Sequence, residues 1–163
     1  MDKIFNILKI KHYMHPNINQ FINQSKELYF TFLDILFNNQ ITGLENVNNC
    51  NPLLWEAYHP IWFIRKLCLS FYNKNFDIKK ENLIYNSHLC SRKHRFTSDL
   101  YNTERIIRNA NNTFNQLYNI SSTPKNHYLI LLSILHLHMH LESFLFTRKV
   151  MLKDYCNFKV KNF

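Results

Sequence analysis

The sequence predicts an all-α fold, a four-helix bundle with a long connection between its second and third helices. Three observations carry that expectation. The chain of 163 residues holds a single glycine, Gly43, and four prolines, whereas all-β folds and phosphate-cradling α/β folds need glycine at their tight turns. P-loop and Rossmann signatures are absent for the same reason. Four long stretches repeat apolar residues at helical spacing. Hydrophobic residues make up 46% and aromatics 15%, which suits one domain with a substantial core and not a disordered tail.

Taken in order, residues 1–16 read as a poorly ordered N-terminal leader, 17–155 as the bundle and 156–163 as a C-terminal tail. The first helix, "INQFINQSKELYFTFLDILF" from Ile18 to Phe37, places Phe21, Ile22, Leu28, Phe32, Leu33, Ile35 and Leu36 mostly on one side. An Asn-rich connection containing Gly43 follows. Pro52 opens the second helix, "PLLWEAYHPIWFIRKLCLSFY", at a position where its missing N–H costs nothing. Pro60 interrupts that stretch and predicts a kink near His59 or a helix that begins there. Residues 73–96 read as irregular. A third helix is expected from an N-cap at Thr97 or Ser98, with Asp99 in its first turn and Leu100, Ile106 or Ile107, Phe114 and Leu117 turned inward. The fourth runs from Pro124 to about Leu152, with Arg148 and Lys149 near its C-terminus.

The net charge of +9 suits nucleic acid or an anionic membrane. Asn, Lys, Ile, Tyr and Phe are abundant together, however, as in the products of AT-rich genomes, and compositional drift is preferred over a nucleic-acid role. Cys50, Cys68, Cys90 and Cys156 are widely spaced with no CxxC pair, which fits free thiols in a reducing compartment. The longest apolar run, "HYLILLSILHLHMHL", reads as too short and too histidine-rich to span a bilayer. The chain is therefore expected to be soluble and cytoplasmic without a membrane partner, organelle targeting by the basic N-terminus being the alternative. A bundle of this size can also pair with a second copy through an exposed helix face.

The stretch "HLHMHLE", residues 136–142, concentrates the chemistry. Because the fourth stretch is far longer than a strand, it is helical, and His136 and His140 share a face while His138 lies on the other side with Glu142. An i, i+4 histidine pair is a bidentate metal clamp. Equally, it can be a pair of histidines satisfied by hydrogen bonds. Leu137 stands where a zinc protease needs glutamate, which argues against that chemistry. His59, in "WEAYHPIWF", is the best third ligand. His12, His15, His88, His94 and His127 are poorer, lying in the leader, in the irregular segment or far below the clamp.

These segments together resemble the DinB-like domain of the ergothioneine- and ovothiol-type sulfoxide synthases. "NPLLWEAYHPIWFIRKL" is similar to a segment in which Pro-x-x-Trp precedes the first metal-binding histidine by four residues. "NLIYNSHL" resembles the family's aromatic-Asn-Ser segment. "HLHMHLESFL" resembles the helix that supplies two further histidines and a glutamate two residues after the second. The order and approximate separation agree from about residue 18 to 152. The resemblance implies a DinB-like four-helix bundle with His59, His136 and His140 as a facial three-histidine set. It implies Fe(II) as cofactor, with open positions for a small thiol substrate and dioxygen; zinc or nickel suits the same ligands. In the family a formylglycine-generating-enzyme-like domain supplies the catalytic tyrosine, and here that domain is expected as a separate partner, unless the chain is a reduced family member. The stretch between the family's paired histidines is glutamine-rich and faces substrate; here it is Leu137, His138 and Met139.

The resemblance also implies that Arg92 and Arg95, in "SRKHR", meet substrate carboxylates, a task guanidinium groups suit; a solvated basic loop is the plainer alternative. Tyr58 and Trp62, either side of His59, are expected to pack against neighbouring helices. Three functions follow: a metal-binding domain of iron-dependent carbon–sulfur bond formation, a stand-alone metal-dependent thiol S-transferase, or a basic helical interaction protein without metal.

Overall fold

Every regular element among the described residues is helical, as the glycine-poor, periodically apolar sequence dictates. The computed structural model describes residues 17–38, 50–73, 76–97 and 102–152, with side chains up to Phe146 in the last stretch. The predicted leader, the Gly43 connection, Ser98, Asp99 and Leu100, the tail, and the Arg148 and Lys149 side chains lie outside the described residues.

Helix α1 spans Ile18–Asn38. Asn17 caps it, its side-chain oxygen accepting from the backbone N–H groups of Asn19 and Gln20, which otherwise lack partners. Ile22, Phe32, Leu33 and Leu36 are buried as expected, and Tyr29 joins them with no exposed surface, its hydroxyl donating to the Ala57 carbonyl at 2.6 Å. Phe21, Leu28 and Ile35 are only partly buried.

Helix α2 spans Leu53–Ile64 and runs through Pro60 without a break. The sequence predicts a kink or a helix start there. Eleven of its twelve residues are buried, so packing on all sides holds the turn from which Pro60 removes one hydrogen bond. The irregularity comes later, as a π-helical turn over Arg65–Leu69, before a closing turn at Ser70–Tyr72.

Residues 73–96 are not irregular throughout: α3 spans Lys79–Tyr85 and a 3₁₀ turn covers Arg92–Phe96. Seven residues are too few to be helical alone, and here side chains of α2 and of the π-helical turn after it hold them. Tyr58 donates to Glu81 at 2.9 Å, Arg65 pairs with Glu81 at 2.9 Å, Trp62 donates to Asn82 at 3.0 Å, and Trp55 donates to the Ile84 carbonyl at 3.0 Å. Periodicity over seven residues carries too little signal to reveal such a tertiary override.

Helix α4 spans Thr103–Ser121 and is capped by Asn102, which accepts from the Arg105 N–H at 2.8 Å. The expected cap, Thr97, instead lies in extended backbone at the end of the 3₁₀ turn. Ile106, Phe114 and Leu117 face inward, and Ile107 is 38% exposed. Helix α5 spans His127–Leu152 behind a 3₁₀ turn at Pro124–Asn126.

Helix α2 is the centre of the fold, packed against α5, α4 and α3, while α1 packs on α4 and α5. The region Pro124–Phe146 is long and apolar enough to cross a membrane by length and composition, contrary to the estimate from its longest apolar run. On one face of α5, Ile130, Ile134, Leu137, Leu141 and Phe144 are buried in the core, while Tyr128, Leu132, Leu135, Met139 and Phe146 are exposed.

Candidate metal centre

The strong α2–α5 packing brings three imidazoles together. His59 comes from α2, and His136 and His140 come from successive turns of α5. One ring nitrogen from each lies within 4.8 Å of the others. His59 Nε2 and His136 Nε2 are 3.3 Å apart, and the His140 ring centroid lies 4.5 Å from that of His59 and 4.7 Å from that of His136. Metal–nitrogen bonds of about 2.1 Å need nitrogens about 3–3.5 Å apart, so closing the widest gap takes a movement on the order of 1 Å.

The surroundings fix which nitrogens face inward. His59 Nδ1 lies 2.7 Å from the Tyr85 carbonyl. A carbonyl only accepts, so Nδ1 carries the proton and Nε2 presents its lone pair. Helix α3 ends at Tyr85, and the last carbonyls of a helix have no partner within it. His140 Nδ1 donates to Glu56 Oε2 at 2.7 Å, leaving its Nε2 for the centre. Glu56 is buried, one turn before His59 on α2, and Asn51 donates to its other oxygen. His136 stacks on Phe63 at 3.8 Å and His59 on Trp55 at 4.4 Å.

Burial keeps two of the three imidazoles neutral. Burial pushes the His59 imidazole down to about 3, and the neighbouring His140 adds to the effect. Burial, then His140, lowers His136 to about 4. Both are unprotonated near neutral pH, as metal ligands must be. Two such nitrogens 3.3 Å apart, one of them a bare lone pair, form a donor set complementary to a cation. The residues present therefore fit a metal ion of the kind that takes imidazole: iron, zinc or nickel.

The predicted trio converges, and the other histidines do not join it. His138 is half-buried on the far side of α5, 2.9 Å from Ser25 Oγ and edge-on to Phe21. His94 bonds Ser91, His127 bonds the Ser121 carbonyl, and His88 is exposed. His12 and His15 lie outside the described residues. Tyr58 and Trp62 pack and bond to α3 and α4 as expected. Arg92 donates to the Cys50 carbonyl at 2.7 Å, and Arg95 to Asn51, Ser87 and Cys90. Leu137 is fully buried in the core and Met139 is 54% exposed.

Sequence reasoning missed Glu56, Asn51 and the Tyr85 carbonyl. Glu56 had a signal, a carboxylate three residues before a ligand and therefore on its face. The Tyr85 carbonyl had none, since it depends on where a seven-residue helix stops. Comparison of the chain with protein-family models, with curated proteins and with solved structures finds no match.

Proposed function

We propose that this chain is a metal-binding domain built as a DinB-like four-helix bundle, related to the non-haem iron sulfoxide synthases. In this reading α1, α2, α4 and α5 are the four helices, and α3 lies in the long connection between the second and third. The observation that carries the proposal is the convergence of His59, His136 and His140 with the Nδ1 atoms of His59 and His140 each held by an acceptor. A surface histidine pair has no need of a buried carboxylate and a helix-terminal carbonyl turned onto its back.

The chain's own residues would do four things. His59, His136 and His140 hold one face of an ion through neutral nitrogens. Glu56 and the Tyr85 carbonyl orient two of the three rings. Trp55 and Phe63 wall His59 and His136 with apolar surface, and that burial keeps those two unprotonated. His136 and His140 are only partly buried, which leaves a side from which a small thiol can approach. Fe(II) held there would supply thiolate binding and dioxygen activation. Leu137 points into the core, so its replacement of a polar residue removes nothing from the site. Arg92 and Arg95 are committed to backbone and side-chain acceptors of their own region. On this reading a separately encoded catalytic domain supplies substrate contacts.

Anaerobic loading with Fe(II), followed by oxygen uptake in the presence of a cysteine-type thiol and a histidine derivative, tests the proposal. Oxygen uptake dependent on iron and thiol, and lost in His140→Ala, supports it. Thiol transfer with zinc but no oxygen uptake would select the transferase instead. A chain that takes up no metal and binds nucleic acid tightly at physiological salt would be the basic interaction protein.

A further inference from the structure

Arg95 stands outside the trio yet reaches two of its members by separate routes. Its Nη1 donates to Asn51 Oδ1 at 2.8 Å. Asn51 Nδ2 donates to Glu56 Oε1, and Glu56 Oε2 accepts from His140 Nδ1 at 2.7 Å. By the second route the guanidinium carbon lies 4.3 Å from the Trp55 ring centroid, and Trp55 stacks on His59 at 4.4 Å and 20° between planes. The remaining donors bind the same guanidinium to its own segment: Nε and Nη2 to the Cys90 carbonyl at 3.3 and 3.1 Å, and Nη2 to the Ser87 carbonyl at 3.0 Å. At the head of that segment, Tyr85 gives His59 its acceptor.

We infer that Arg95 is a positioning residue of the metal centre and couples ion binding to the docking of residues 86–97. The inference rests on the metal-binding proposal above. A planar group with several fixed donors and a stacking face is needed to hold Asn51, two carbonyls and Trp55 at once, and a lysine ammonium offers neither plane nor fork. With Arg95 in place, Glu56 and Trp55 are held and two imidazoles are aimed before an ion arrives. Coupling is reciprocal: an ion that fixes the two imidazoles also favours the docked segment.

The test uses the full-length chain. Zn(II) affinity is measured by competition with a chromophoric chelator, Co(II) absorption reports ligand geometry, and hydrogen exchange of residues 86–97 is followed with and without Zn(II). Arg95→Ala is expected to weaken binding about 10–100-fold, as loss of a ligand's outer partner does, and to shift the Co(II) spectrum. Arg95→Lys restores little, and Lys93→Ala, an exposed neighbour in the same turn, stays at the wild-type value. In the wild type, Zn(II) slows exchange across 86–97; in Arg95→Ala that protection is lost. Should Arg95→Ala fold poorly, Asn51→Ala cuts the hydrogen-bonded route alone and is expected to weaken binding to a lesser degree. Wild-type affinity and spectrum in both Arg95→Ala and Asn51→Ala, or exchange of 86–97 indifferent to Zn(II) in the wild type, would overturn the inference while leaving the metal centre standing. A wild-type chain that binds no ion overturns the metal centre and the coupling with it.

Discussion

Helix α5 carries histidines on two faces, and the same side chain meets opposite circumstances on each. His136 and His140 turn toward α2, where they find another imidazole, a buried carboxylate and two aromatic walls. His138 turns toward α1, where one serine hydroxyl and one phenylalanine edge satisfy it. Burial lowers the pKa of His138 as it does that of His136, and Glu142 opposes the shift. Desolvation therefore does not distinguish the two faces. The first brings a ring nitrogen from each of three imidazoles within 4.8 Å of the others, while the second gives one ring one hydrogen-bond partner. A metal site is recognised by convergence and by what stands behind the ligands, not by a perturbed histidine alone.

Substitutions can break this contrast. The largest effect is expected from removing a ligand: His59→Ala or His140→Ala should abolish stoichiometric metal uptake, while His138→Ala keeps it, as metal analysis after gel filtration would show. Next comes Glu56→Gln, which keeps an acceptor oxygen but loses the charge behind His140. It should weaken metal affinity about 10–100-fold in a chelator competition, with Glu142→Gln unchanged.

The pH dependence of the metal-free protein follows with a definite sign. His59 and His136 titrate lower in the folded chain than in the unfolded one, near 3 and 4 against an ordinary 6.5. Between those values the unfolded chain binds more protons, so acid favours unfolding. Stability should be fully present above about pH 6.5 and fall as pH drops toward 3. Urea midpoints measured across that range check it, and the fall should be shallower in His59→Phe. The smallest effect lies on the other face: Ser25→Ala removes one partly buried hydrogen bond from His138, should cost about 1 kcal/mol, and should leave metal affinity untouched. Thermal unfolding alongside a zinc titration separates the two.

How much of this was legible in the sequence differs from residue to residue. The four long helices were, because their apolar residues recur at helical spacing over three or more turns, and Ile22, Leu33, Ile106, Phe114 and Leu117 stood where periodicity put them. His136 and His140 followed from helix geometry alone, whereas His59, nearly eighty positions away, was picked out among the remaining histidines by its aromatic-rich helix and then by the family resemblance. Helix α3, the passage of α2 through Pro60 and the Asn102 cap were not legible. Each is decided by contacts distant in sequence, such as Trp62 to Asn82 and Trp55 to the Ile84 carbonyl. Arg95 was singled out through the family resemblance as a substrate contact, and its bonds to Asn51 and its place over Trp55 could not be read from sequence because both partners lie about forty residues away.

The most direct measurement is metal stoichiometry by elemental analysis of three proteins loaded and washed identically: wild type, His140→Ala and His138→Ala. One ion per chain is expected in the wild type, none in His140→Ala and one in His138→Ala. A wild type without metal, or equal metal in all three, would contradict this expectation.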